Sequence, residues 1–539
     1  NESIRFLTNT TIGLGGMFDP AKHLFHLEQS KENMEQALAK CHVKSGSYFV
    51  LPVLSFTNMR GLFGKLLDTA LNPSSYIGTP VLAIVKAGLT VNRTSYLQPF
   101  IKMVESTYAD PYEIAKKAFG IDSYIKCQNL DRVDVKSSLY KKVEEEKLVE
   151  VSKPQTEIKK ATNENKKDEN IVQVEVSSEI VIPDLLFGGA NIDNVVLPQF
   201  SAESFKLDAD IRLPNYNPQN PVVDSMRTAL FQVPDVNNSI WNDLSVWNRS
   251  FANRIRTSSI NLTAGKDNYK YRYILQKDKK APIAIIYPSI GEGVNSSHSV
   301  SLAKLFYDAG YSVLIQGSHF QWEFTASMPD GYHPGLPAKD ALVLRKVTSQ
   351  ILEQLSKKYE CNFENKVFIG TSFGALTTLF VAAEEYKNNT LGNTKYISVC
   401  PPIDLIYAMK QVDKITDEWN SSPDELKQRV AQTAAKVVKL YDSKDEIDKE
   451  VNNLPFSEDE GKLITGFIMH QKLSDLIFTL EKASKTKPEN IYHRINNMGF
   501  QDYAKYYLLK DDKQTCDDIA YESSLHSISY YLENCDNYG

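Results

Sequence analysis

The sequence predicts a multidomain protein. An all-helical N-terminal domain precedes a C-terminal domain built on a doubly wound, mostly parallel sheet with a helical cap. At 539 residues, the chain is too long for one ordinary domain. Short apolar runs alternate with helical patterns through residues 258–400, which is typical of a parallel sheet with crossover helices. A highly charged stretch, poor in glycine and aromatic residues, separates the two blocks.

Four segments follow from these patterns. Residues 1–135 are the helical domain, and residues 136–182 are a flexible linker, because their composition buries too little apolar surface to offset chain entropy. A solvated helix over residues 141–150 is the alternative for part of this linker. Residues 183–404 form the sheet domain, and residues 405–539 form the cap.

Composition excludes several classes of function. A net charge of −6 provides no basic surface, so nucleic acid is not an expected partner. No apolar run reaches 18 residues, so no membrane-spanning helix is predicted. The glycines of IGLGG (12–16) follow no strand and fit no dinucleotide-binding register, and no zinc-type cysteine spacing occurs. The sequence therefore implies neither a cofactor nor a metal.

The sheet domain is predicted to begin with a hairpin. SSINLTA (258–264) and YKYRYILQK (269–277) flank the turn-rich GKDN. APIAIIYP (281–288) and YSVLIQG (311–317) are continuous apolar runs, as expected of strands buried on both faces. Helical spacing follows each run, over residues 299–310 and 337–359. The second of these helices places four apolar side chains on one face: Leu344, Val347, Ile351 and Leu355.

The most informative motif lies within KVFIGTSFGALTTLF (366–380). A predicted strand meets Gly370-Thr371-Ser372-Phe373-Gly374, and a helical pattern begins at Phe373. A serine on such a turn is lifted above the sheet, the flanking glycines avoid side-chain clashes, and the helix N-terminus favours developing negative charge. Ser372 is therefore the predicted nucleophile, and a small-residue turn that only packs helix on sheet is the alternative.

With its preceding strands and helices, this motif resembles the α/β-hydrolase fold. The resemblance implies an oxyanion hole from the backbone N–H of Phe373. A second donor would come from the loop Ser289-Ile290-Gly291, so Ile290 or Gly291 would supply it. This loop lacks the HGGG form of many lipases.

The fold's usual order of Ser, then acid, then His leaves the partners of Ser372 open. After a predicted strand at 395–400 the pattern is helical, with capping boxes beginning at Ser422 and Ser457, and no strand-like run follows. We therefore expect a chain truncated before the last strands, which would carry the acid and histidine. The alternative is an unusual triad of Asp404 with His470 or His493 in the cap. His319 and two other histidines, His298 and His333, precede Ser372 and are out of order.

Three stretches of the N-terminal block are similar to the MlaA/VacJ lipoproteins: RFLTNTTIGLGGMFDPA (5–21), KENMEQALAKCHVKSGSYFVLPVLSFTNMRGLFGKLLD (31–68) and DPYEIAKKAFGIDSYI (110–125). The resemblance covers about residues 4–127. Cys41-His42-Val43 departs from the family's usual Trp-Gly-Val, and Ser47 replaces a usual glycine or proline.

This resemblance implies a helical, ring-like protein on the periplasmic side of a bacterial outer membrane, in its inner leaflet. It also implies retrograde phospholipid transport, with a porin and a periplasmic lipid carrier as partners. The family's lipidated first cysteine is absent, which leads us to expect truncation at the N-terminus as well. Apolar runs within residues 48–91 would form amphipathic helices lying in the membrane interface, and an ordinary helical core is the alternative.

Together the two blocks predict a phospholipid-transport domain fused to a serine hydrolase that acts on a phospholipid or other lipid ester. The substrate class rests on the neighbouring domain, because a fold alone does not specify it. One alternative is a non-catalytic lipid-binding protein with a hydrolase-like scaffold. The other is a soluble periplasmic esterase that its first block docks at the membrane.

Overall fold

The computed structural model describes residues 2–12, 20–26, 32–51, 55–71, 104–130, 219–226, 251–402, 405–420, 423–442 and 454–508. Contacts divide the chain into two units. The first comprises residues 1–106 and 111–133, and the second comprises residues 107–110 and 134–539. The predicted linker at 136–182 lies outside the described residues, and the boundary between sheet domain and cap stays a prediction.

The first unit is largely helical. Asn33 begins its third helix with a capping box, in which its side chain accepts the N–H of Gln36 and the Gln36 side chain accepts the N–H of Asn33. The elements of this unit are α1 (Glu2–Thr11), α2 (Pro20–His23), α3 (Met34–Lys40), β1 (Tyr48–Leu51), β2 (Ser55–Asn58), α4 (Met59–Leu71) and α5 (Pro111–Cys127).

A two-stranded hairpin corrects the prediction that this unit is all helical and that amphipathic helices begin at residue 48. Strands β1 and β2 pair antiparallel, with Tyr48 opposite Asn58. Aromatic and β-branched residues favour strands, and Pro52 between the strands is incompatible with a helix interior. The helix expected within 48–91 begins only at Met59, and residues 72–91 lie outside the described part.

The second unit is built on a six-stranded mixed sheet. Its strands are β3 (Arg256–Ile260), β4 (Tyr269–Ile274), β5 (Ile283–Tyr287), β6 (Ser312–Ile315), β7 (Lys366–Thr371) and β8 (Thr394–Val399). Their order across the sheet is β3-β4-β6-β5-β7-β8. β4 runs antiparallel to both neighbours, and the strands from β6 to β8 are parallel. The predicted hairpin and mostly parallel sheet are confirmed.

Helices flank this sheet. A short helix, α6 (Pro221–Ser225), packs against the cap helix Glu458–Ala483. The helices that flank the sheet are α7 (Phe251–Arg254), α8 (Ser297–Asp308), α9 (Trp322–Ser327), α10 (Pro337–Tyr359) and α11 (Phe373–Lys387). Helix α10 has the predicted bounds, and its predicted apolar face is buried, with Leu344 and Ile351 fully inaccessible. Every residue of β5 is likewise buried, because a parallel strand covered on both faces has no solvent-exposed side.

Beyond β8, the described residues are helical and include no strand, as the cap prediction required. The helices are α12 (Leu405–Asn420), α13 (Pro423–Asp442), α14 (Glu458–Ala483), α15 (Pro488–Asn497), α16 (Phe500–Tyr503) and a π-helical turn (Ala504–Leu508). The predicted capping box at Ser457 is present, whereas Ser422 lies outside the described residues. In the described ranges, no helix has the length and apolar character needed to cross a membrane.

Candidate active site

Ser372 occupies a strained turn between β7 and α11. Its φ of 52° and ψ of −122° lie in a region that residues with a side chain rarely adopt. The Ser372 N–H still donates to the carbonyl of Val399 at 2.9 Å, so the residue remains attached to the sheet. The turn therefore carries the serine off the end of the strand into the first turn of a helix.

The two glycines of the motif let the chain pass close to itself. A Cβ on Gly370 would lie 2.7 Å from the carbonyl carbon of Gly374. A Cβ on Gly374 would lie 2.7 Å from the carbonyl oxygen of Tyr287, at the end of β5. Real side chains do not approach backbone this closely, so both positions require glycine.

The hydroxyl of Ser372 is at a cavity of about 250 Å³. It caps no helix N–H and donates to no other side chain or carbonyl within the described part of the chain. The cavity wall is almost entirely apolar, and the cap supplies much of it: Leu405, Met409 and Val412 from α12, Met469 from α14, and Phe500 and Tyr503 from α16.

Two backbone N–H groups beside this serine are unengaged. Phe373 is the first residue of α11, and neither its N–H nor that of Ile290 donates to any described residue. Both residues line the cavity with Ser372. The Gly291 N–H, in contrast, donates to Oγ of Ser318 at 3.3 Å. Of the two predicted loop donors, Ile290 is thus the unengaged one.

The structure does not bring the two predicted histidines to the cavity of Ser372. Asp404 lies outside the described residues. His470 is half-buried on α14 and His493 is exposed on α15, and neither lines the cavity. Over the described ranges, the cavity wall includes no histidine or carboxylate, and no cluster of three or more His, Cys, Asp or Glu could hold a metal ion.

Sequence reasoning set aside a histidine that lies in the core next to the Ser372 turn. His319 is fully buried, and its ring stacks on that of Phe373 with centroids 5.2 Å apart. The Tyr287 hydroxyl lies 2.5 Å from Nδ1 of His319 and accepts the His319 N–H at 2.9 Å. Nε2 of His319 lies 3.1 Å from Oδ2 of Asp340, although off the direction of a hydrogen bond.

Asp340 is itself fully engaged. Its carboxylate accepts the Tyr332 hydroxyl at 2.7 Å and the Gly335 N–H at 2.8 Å. Burial raises the pKa of Tyr287 well above its ordinary value, and burial followed by the Asp340 charge does the same for the pKa of Tyr332. Both phenols therefore stay protonated and remain hydrogen-bond donors.

Strand topology was the signal that could have found this network. Tyr287 ends β5, and His319 follows β6 by four residues. Since the carboxyl ends of parallel strands meet at one edge of a sheet, both belong beside Ser372. The expected order of triad residues hid them.

Comparison with known proteins bears on each half of the chain. Residues 1–123 match the MlaA lipoprotein family. An uncharacterized protein of Rickettsia felis and one of Rickettsia conorii are each 34% identical over 120 residues, which is 21% of this chain and 46% of theirs. The chain thus spans about half the length of the curated relatives it matches.

Solved structures resemble the second unit weakly. An esterase of Pyrococcus furiosus is 16% identical, with 39% of this chain and 68% of that chain covered and a TM-score of 0.23. A carboxyl esterase of Bacillus coagulans is 15% identical, with 42% and 77% covered and a TM-score of 0.21. These scores are too low to support an argument, so the α/β-hydrolase-type assignment rests on the strand order and the Ser372 turn. The chain joins an MlaA-matching segment to this core.

Proposed function

We propose that this protein combines MlaA-type phospholipid transport at the bacterial outer membrane with a serine hydrolase that cleaves acyl or lipid esters through Ser372. The observation that carries the hydrolase half is the free Ser372 hydroxyl in a strained turn, at an apolar cavity with two unengaged N–H groups. An apolar cavity suits an acyl chain, because burying its methylene groups is favourable.

In the proposed reaction, Oγ of Ser372 attacks the ester carbonyl and loses its proton to a base. The N–H groups of Phe373 and Ile290 stabilise the resulting oxyanion, and such donors contribute strongly in a water-excluded site. Collapse expels the alcohol, which takes up the proton and leaves an acyl-enzyme. Water then releases the acid and restores Ser372.

The described part of the cavity wall supplies no histidine or carboxylate to act as this base. Without a base, a serine hydroxyl is a poor nucleophile. The oxyanion donors and substrate binding alone would then leave roughly 10³–10⁴-fold acceleration over the reaction in water. Asp404 with His470 or His493 stays a prediction for this role.

The location and partners are proposed from the MlaA match. The first unit would lie at the inner leaflet of the outer membrane, on the periplasmic side, with a porin and a periplasmic lipid carrier as partners. Its α4 helix exposes Phe63 and Leu66, which fits insertion into an interface.

One observation favours a second function for the hydrolase unit. Its cavity wall, as far as described, is mostly apolar and holds no carboxylate, histidine, lysine or arginine. A site of this kind could bind an acyl chain without cleaving it. The unit would then be a non-catalytic lipid-binding module.

Fluorophosphonate labelling separates the two functions. The full chain is treated with a biotinylated fluorophosphonate, and the modified residue is mapped by mass spectrometry, with Ser372→Ala as the control. Labelling at Ser372 that the variant abolishes supports the hydrolase. If Ser372 remains unmodified while the chain still binds a radiolabelled fatty acid, the hydrolase proposal is wrong and the binding module stands.

A further inference from the structure

The cap helix α14 reaches the loop that carries the second N–H donor, and Lys472 makes the contact. Gly291 has a φ of 65°, and a Cβ added there would lie 2.8 Å from Cβ of Lys472 and 3.0 Å from its Cδ. The aliphatic stem of Lys472 therefore lies directly against the Gly291 Cα, with no space between them.

Gly291 is also held by a hydrogen bond. Its N–H donates to Oγ of Ser318, a residue that follows β6. The same loop is linked to strand β7 through Ser289, whose hydroxyl lies 3.2 Å from that of Thr371. Ile290, between Ser289 and Gly291, is thus enclosed by fixed neighbours while its own N–H stays unengaged.

The helix that carries Lys472 also contributes to the wall of the site. Met469, one turn earlier on the same face of α14, lines the cavity with Ser372. Burial lowers the pKa of Lys472, and the opposite charge of Glu292 partly restores it. Since Glu292 directly follows Gly291, the ammonium is attracted to the loop that its stem contacts.

We propose that Lys472 is a positioning residue for the oxyanion hole. Its stem packs on Gly291 and keeps the Ile290 N–H directed at the position of the oxyanion. This inference rests on the proposed hydrolase function, and it makes the cap helix part of the catalytic arrangement rather than a cover alone. The contact depends on the methylene groups, so an unbranched apolar side chain of similar length can replace Lys472.

The test measures a tetrahedral adduct and simple cavity binding separately, on the full chain. In the adduct of octylboronic acid, the serine oxygen bonds to boron and a boron-bound hydroxyl occupies the oxyanion hole. Boron NMR detects the tetrahedral boron. The apolar dye phenylnaphthylamine fills the cavity without needing the donors. Dissociation constants for both probes are compared among wild type, Lys472→Ala and Lys472→Met. Lys462→Ala is the matched control, because Lys462 lies on the same helix in an exposed ion pair with Glu458.

Lys472→Ala should weaken boronate binding about tenfold, a fraction of the roughly 100-fold cost of deleting an oxyanion donor, and leave dye binding unchanged. Lys472→Met should stay within about threefold of wild type, because methionine is an unbranched and adaptable replacement. Lys462→Ala should match wild type with both probes.

Three results would overturn the inference alone. The first is that Lys472→Ala binds the boronate as tightly as wild type does. The second is that Lys472→Ala weakens binding of the boronate and of the dye equally. The third is that Lys472→Met weakens boronate binding as much as Lys472→Ala does. A wild-type chain that forms no tetrahedral adduct would overturn the proposed hydrolase itself, and the inference with it. That outcome is distinguishable because it requires no variant.

Discussion

The strain at Ser372 can be measured by comparing two substitutions that both remove the hydroxyl. Ser372→Ala keeps a Cβ at a φ of 52°, and Ser372→Gly removes it. Since the hydroxyl bonds to no described residue, its loss should cost little in either variant. Backbone strain of this kind costs about 1–3 kcal/mol, and the greater freedom of glycine in the unfolded chain offsets about 0.5–1 kcal/mol. Ser372→Gly should therefore be more stable than Ser372→Ala by about 1 kcal/mol.

Hydrogen exchange of the β5 amides in the full chain is a suitable assay, because core strands exchange through global opening of their unit. The control compares wild type with a glycine variant at Ala375, three residues later, where the backbone is helical. There Ala375→Gly should destabilise the unit by roughly 1 kcal/mol, which is the opposite sign. If Ser372→Ala were as stable as Ser372→Gly or more stable, the turn would not be strained. The argument from strain for a functional role of Ser372 would then be wrong.

The same exchange assay tests two further features. Gly374→Ala should destabilise the sheet unit by about 3 kcal/mol or more, because the added methyl would meet the fixed Tyr287 carbonyl. Gly120→Ala, in open space on α5, should stabilise the first unit by roughly 0.5–1 kcal/mol when exchange is read from the amides of α5. Equal effects of the two substitutions would contradict the packing argument. Arg345→Met should cost about 3–5 kcal/mol, because it leaves the buried carboxylate of Glu385 without the cation now 2.6 Å away. Adding Glu385→Gln should recover part of that loss of stability. A double variant no more stable than Arg345→Met would contradict the claim that the unpaired Glu385 charge causes the loss.

The sheet could be predicted from the sequence because burial on both faces leaves a distinct local pattern. Strand β5 appears as a continuous apolar run between a proline and a serine-containing loop, and the structure buries it completely. The hairpin of the first unit could not be recognised in the same way. Its run YFVL favours a strand in composition, but four residues are too few for a period to distinguish a strand from a buried helical segment.

The residues of the candidate site fall into two groups: those in a local sequence motif and those that only packing brings together. Ser372, Gly370 and Gly374 form a local motif, so sequence places them. The cavity and the Lys472 contact arise from segments far apart in the chain, which only the packing of the cap on the sheet brings together. His319 and Asp340 belong to this second kind.

The environment of His319 identifies its role in the site. Its Nδ1 lies 2.5 Å from the Tyr287 hydroxyl, and its Nε2 lies 3.1 Å from Oδ2 of Asp340, so both ring nitrogens face buried polar groups of the core. His319 does not line the cavity that holds Ser372. Its ring instead stacks on Phe373, the residue whose N–H is the first oxyanion donor. The buried histidine therefore supports that donor from the core side, as Lys472 supports the Ile290 donor from the cap.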